Sequence, residues 1–97
     1  KYFGINFDTG NSVNSFYSFN DIRRLLKYTH NIHLKDKNKK FLTVKLGNGL
    51  FDFKKFFFLL KKIKYKKNLI LQTARSTDNH VNDINLNKEY IEGFIKN

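Results

Sequence analysis

Three times along this chain a short strand-forming run gives way to an amphipathic helical run, and that alternation limits the fold more than anything else in the sequence. "YFGINFD" (Tyr2 to Asp8) alternates, with Phe3, Ile5 and Phe7 on one side and Gly4, Asn6 and Asp8 on the other. The turn-rich "TGNSVNS" leads to "SFNDIRRLLKY", where Ser18 or Asn20 caps a helix with Ile22, Leu25 and Leu26 on one stripe. "HNIHLKD" (His30 to Asp36) is the second strand. A polar connection over Lys37 to Lys40 follows it, and then "FLTVKLGNGLFDF". Asp52 caps the next helix, whose stripe is Phe53, Phe56, Phe57, Leu60 and Ile63; Lys54, Lys55, Lys61 and Lys62 occupy its solvated face. "NLILQTA" (Asn68 to Ala74) is the third strand. An Asn/Asp-rich loop is predicted as far as Asn87, the expected cap of a final helix packing Tyr90, Ile91, Phe94 and Ile95.

Such alternation predicts an α/β fold with parallel strands and outer helices, since crossovers of about thirty residues fit βαβ units. Three strands cannot close a barrel, and an open parallel sheet of three leaves long unpaired edges. The expectation is therefore the C-terminal part of a larger domain. The absence of methionine and a start at Lys1 directly before an apolar segment agree with it.

Composition excludes some classes. With no cysteine there is neither a disulfide framework nor a cysteine-based zinc site. No apolar run approaches the ~20 residues that span a bilayer, and nothing resembles a signal peptide. The formal charge of +11 invites a nucleic-acid reading. The lysines are scattered, however, with one dense patch at Lys61, Lys62, Lys64, Lys66 and Lys67. A bias toward Asn, Ile and Phe accompanies them. The charge is read as a solvated surface, and nucleic acid is not the expected partner.

The chemistry gathers at the carboxyl ends of the strands. Asp8, His33 and Gln72 each stand on the side opposite the neighbouring Phe, Ile or Leu residues, so a period of two sends all three to one side of the sheet. In (β/α) barrels the active site occupies that end. A carboxylate, an imidazole and an amide oxygen together make a mixed O/N site for a divalent metal. The bland alternatives are an Asx turn at Asp8 before "TGN", a satisfied histidine at 33, and a core amide at 72. Lys35 is expected to meet substrate oxygens or to pair with Asp36. The "GNG" of Gly47 to Gly49 is either a turn or a weak phosphate cradle. Arg75 is a candidate for bidentate binding of a carboxylate or phosphate, with a surface role as the alternative.

"GINFDTGNS", "NIHLKD" and "LGNGLFDF", in this order, resemble the closing third of the sugar phosphate isomerase/epimerase family of xylose isomerase-like (β/α)8, or TIM-type, barrels. That superfamily also holds ketose 3-epimerases, inosose dehydratases and apurinic-site endonucleases. The resemblance runs from Gly4 to the terminal helix. It implies that residues 1–97 are the C-terminal portion of one barrel domain, three βα units of an incomplete barrel, and that this piece is inactive alone. It also implies divalent-metal ligands (Mn, Mg, Zn or Co) at Asp8, His33 and Gln72, with a further glutamate upstream. Asn11 falls where the related ketose epimerases place a substrate-contacting residue, and it joins Lys35 and Arg75 as an expected substrate contact. At Gln72 the family usually has a glutamate acting as acid/base, and an amide cannot take a proton from carbon. The activity implied is a metal-dependent isomerase or epimerase that moves a carbon-bound proton beside a carbonyl of a sugar, sugar phosphate or cyclitol. An apurinic-site endonuclease and an inactive barrel piece are the alternatives. Cytoplasmic placement, no membrane association and scope for a homo-oligomer complete the expectation.

Overall fold

The computed structural model describes residues 5–13, 18–72 and 80–95. Strands β1 (Ile5–Asp8), β2 (Thr29–Leu34) and β5 (Asn68–Leu71) form a parallel sheet in the order β1-β2-β5. A 3-10 turn (Gly10–Ser12) follows β1, helix α1 (Phe19–Leu26) precedes β2, α2 (Phe53–Lys62) precedes β5, and α3 (His80–Ile95) comes last. The parallel α/β arrangement expected from the alternation is present, and three strands leave the sheet open.

Register explains the layering. Phe7 pairs with Ile32, which pairs with Leu69; Leu34 pairs with Leu71. These side chains share one face, and all three helices cover it. Ile22 and Leu26 of α1, Phe53, Phe56, Phe57 and Leu60 of α2, and Ile91 of α3 are buried in one cluster with Phe7, Ile32 and Leu34. Phe7 stacks on Phe56 with ring centroids 5.9 Å apart, and Phe57 stacks on Phe94 at 5.3 Å. Aromatic rings each remove a large apolar area from water, so a core this rich in phenylalanine is dense for its size.

Both expected caps of the first two helices form. Ser18 and Asp21 make a reciprocal capping box on α1, and Asp52 accepts from Lys55 N at 3.0 Å to start α2. Asn20 lies inside α1. The sequence reading fails in two places. Asn87 is not a cap, because α3 begins seven residues earlier at His80. The Lys37–Lys40 connection is a small hairpin, in which β3 (Asp36–Lys37) pairs antiparallel with β4 (Thr43–Val44). Asn38 makes that turn: its side-chain oxygen accepts from Lys40 N and Leu42 N, an Asx device that a lysine-rich string conceals. Among the described residues, no helix is long and apolar enough to cross a membrane.

Candidate active site at the strand ends

The sheet face away from the helices carries Asn6, Asp8, Asn31, His33, Asn68 and Ile70, so it is polar apart from Ile70. Asn6 pairs with Asn31 and Asn31 with Asn68. Their amides run as a ladder, Asn31 Nδ2 donating to Asn6 Oδ1 at 3.0 Å and Asn68 Nδ2 to Asn31 Oδ1 at 2.9 Å. One step toward the carboxyl end, Asp8 pairs with His33 and His33 with Ile70. Positions in register on neighbouring strands are about 4.8 Å apart and share a face. Asp8 and His33 therefore stand side by side. Gln72 shares their face but lies two residues past Ile70, about 7 Å further along its strand. Its backbone N–H donates to Leu34 O at 3.0 Å, which keeps β5 in parallel register to that point.

Asp8 has one structural duty. Its Oδ1 accepts from Asn11 N at 3.0 Å, the Asx turn weighed from the sequence. An ionised carboxylate has about four lone-pair sites, so this bond leaves most of its capacity for another partner. Among the described residues, the half-buried His33 imidazole has no hydrogen-bond partner. No three His, Cys, Asp or Glu side chains among the described residues converge as a metal site. An Asp–His pair is nonetheless chemically suited to a borderline divalent ion, which accepts mixed nitrogen and oxygen donors.

Thr9, which the sequence reading passed over, closes the site from below. It is fully buried; its hydroxyl donates to Lys35 O at 2.5 Å and accepts from Lys35 N at 2.8 Å. Its own N–H donates to His33 O at 3.0 Å. One threonine thus continues the β1–β2 ladder after both strands have ended. Gly10 then passes under the Lys35 stem so closely that a Cβ there would lie 2.9 Å from Lys35 Cγ.

The expected Lys35–Asp36 pairing does not occur, because the two side chains point to opposite sides. Asp36 is completely buried among backbone donors: Oδ1 accepts from Lys37 N (3.0 Å) and Phe51 N (3.1 Å), and Oδ2 accepts from Gly47 N (3.0 Å) and Gly49 N (2.9 Å). The "GNG" segment is a cradle after all, but the anion in it is the protein's own Asp36. A Cβ at Gly49 would collide with Asp36 Oδ1 and Lys37 O, so no other residue fits. The same loop is tied to α3, where buried Asn87 Oδ1 accepts from Leu46 N at 2.8 Å.

Lys37 sits at the rim. It is only 9% exposed, its Nζ donates to Asn11 Oδ1 at 3.3 Å, and it lies 3.8 Å from the Phe41 ring centroid. Phe41 holds that ring in place from a left-handed backbone, φ 62°. For a bulky residue this conformation costs roughly 1–2 kcal/mol. Arg75 lies outside the described residues.

A xylose isomerase-like TIM barrel profile matches residues 1–94, nearly the whole chain. This chain belongs to that family. Among solved structures, a D-allulose 3-epimerase from Methylomonas sp. superposes with a TM-score of 0.67 at 18% identity. The match covers 96% of this chain and 36% of the epimerase, so the chain spans about a third of that protein's length. At such identity the likeness establishes the fold. No curated protein matches the chain. As a part of a xylose isomerase-like barrel, the sheet has its helices on the outside, and the bare polar face with Asp8 and His33 is the face such a barrel turns inward.

Proposed function

We propose that this chain forms part of the active site of a metal-dependent isomerase or epimerase acting on a sugar, sugar phosphate or related cyclitol. The observation that carries the reading is the side-by-side pair of Asp8 and His33 at the carboxyl end of adjacent parallel strands, on the face free of helices. Side chains so close can reach one ion at the ~2.0–2.2 Å that oxygen and nitrogen ligands require. Asp8 and His33 would hold the ion, with the Gln72 carbonyl oxygen approaching from the next level and the remaining ligand coming from outside this chain. A divalent ion bound there would polarise the substrate's carbonyl and neighbouring hydroxyl.

The chain's own groups divide the other work. The Asx turn orients the Asp8 carboxylate, and Thr9 fixes the backbone from which His33 and Lys35 project. Lys35, braced on Gly10, offers an ammonium to substrate oxygens. Gln72 can accept a hydrogen bond but cannot remove a carbon-bound proton, so the base comes from elsewhere in the protein. The membership of the chain in the xylose isomerase-like barrels and its superposition on a sugar epimerase support this reading.

The test is metal-dependent stabilisation of the full-length protein. Mn²⁺ or Co²⁺ should raise its Tm, and His33→Ala and Asp8→Ala should each remove the shift, since an ion that binds only the native state stabilises it by mass action. A shift that survives both substitutions would refute the assignment. Gln72→Glu should increase metal affinity or introduce epimerase activity.

A further inference from the structure

We propose that Lys37, seated beside Asn11 at the strand mouth, is the receptor for a phosphate group, which makes the substrate a sugar phosphate rather than a neutral sugar. This rests on the reading of the site given above and narrows it. Three observations converge on Lys37. Its side chain is nine-tenths buried by this chain alone. Among the described residues it has no carboxylate partner, and the adjacent Asp36 is turned to the other side and taken up by four backbone N–H groups. A cation withdrawn from water without a counter-ion is costly to keep, so an anion that arrives beside it gains strongly. Finally, the Phe41 ring lies 3.8 Å from the ammonium and walls off one side of it, which leaves the charge open toward Asn11.

The donor inventory points to the same ligand. An ammonium carries three donors, and Lys37 spends one on Asn11 Oδ1. Because that oxygen faces the lysine, the Asn11 amide nitrogen, with two more donors, is directed away from it. Among the described residues neither of these remaining sets of hydrogens is spent. The Asp8 carboxylate lies on the backbone side of Asn11, accepting its N–H. The Lys37–Asn11 pair therefore presents donors and positive charge. A lysine acts on phosphate as a point charge, whereas planar carboxylates are more often met by the arginine fork.

The experiment uses the full-length protein and inorganic phosphate as the probe, with binding followed by calorimetry. Wild type should bind phosphate saturably, and acetate should not displace it. Lys37→Gln should weaken binding at least tenfold, Lys37→Arg should retain most of it, and Lys62→Gln, on the exposed face of α2, should leave it unchanged. Should Lys37→Gln fail to fold, Asn11→Asp provides the second arm: at this exposed position the new carboxylate would pair with the ammonium and abolish phosphate binding. Absence of saturable binding in wild type, or binding undiminished in Lys37→Gln or Asn11→Asp, overturns the proposal. The Mn²⁺ shift separates this from the broader reading. Phosphate binding that depends on Lys37 without any Mn²⁺ shift supports the receptor and sinks the metal site; the reverse result sinks the receptor alone.

Discussion

A buried carboxylate must replace its hydration shell, and Asp36 does so with the backbone N–H groups of residues 37, 47, 49 and 51. Asp36→Ala would leave four backbone donors, one buried and three part-buried, without their acceptor at about 1 kcal/mol each. Urea unfolding of the full-length protein should therefore show a loss of at least ~3 kcal/mol, an amount reserved for broken buried networks. Gly49→Ala should be similarly damaging through its clash with the same carboxylate. Tyr90 provides a milder, pH-dependent signal. Burial, reinforced by the Asp36 and Asp52 carboxylates, raises its hydroxyl above the ordinary tyrosine value, and burial raises Tyr65 as well. A raised folded value means that the stabilising contribution is complete below about pH 10 and fades as pH climbs past it. Tyr65→Phe with Tyr90→Phe should flatten the alkaline loss of stability, measured by denaturation across that range. At this scale the sequence was half legible. A period of two assigns Asp8, His33 and Gln72 to one face without coordinates. It says nothing of Thr9, Asp36 or Asn87, whose importance lies in partners as far as 41 residues away.

Helices and turns were read well where local chemistry is strong. Ser18 with Asp21, and Asp52 ahead of its phenylalanine stripe, announce helix starts by themselves. Asp52→Ala should cost about 1 kcal/mol, the usual value of a lost cap, detectable by thermal unfolding. In the capping box the backbone and side-chain hydrogen bonds of Ser18 hold Asp21 below the ordinary aspartate value. The depressed folded value makes this contribution complete above about pH 4, fading as pH drops toward the lowered value. Ser18→Ala should move the Asp21 titration upward, as followed by carboxyl NMR. Propensity misled the reading of α3. Its first turns are rich in Asn and Asp, residues that favour loops over helix interiors. A tertiary bond decides otherwise, because Asn87 turns inward to cap Leu46 N instead of heading the helix. The β3–β4 hairpin was missed for a related reason: each strand has only two residues, too few to show a period.

For the molecule as a whole, alternation was enough to give parallel strands with helices outside them, and the family profile over residues 1–94 agrees. How the sheet is completed could not be read, since the partners of its two outer strands are not among the described residues. Those strands have consequences. Among the described residues, β1 and β5 each present an unpaired edge, with Ile5 and Ile70 exposed at 39%. Open edges bearing apolar side chains recruit further strands. The chain expressed by itself should therefore self-associate, which sedimentation velocity would register as concentration-dependent species, and Ile70→Lys should reduce it.

The row of linked asparagine amides across the bare face also has a dynamic implication. Sliding β2 by a single position would break both amide links, and sliding β1 or β5 would break one; either slip would exchange greasy residues for wet ones, so the alignment that sets Asp8 against His33 is keyed by polarity as well as by oil. Both links are exposed to solvent, so they act by setting the alignment more than by adding strength. A wall keyed in this way would keep the proposed Asp8–His33 pair in step along its length.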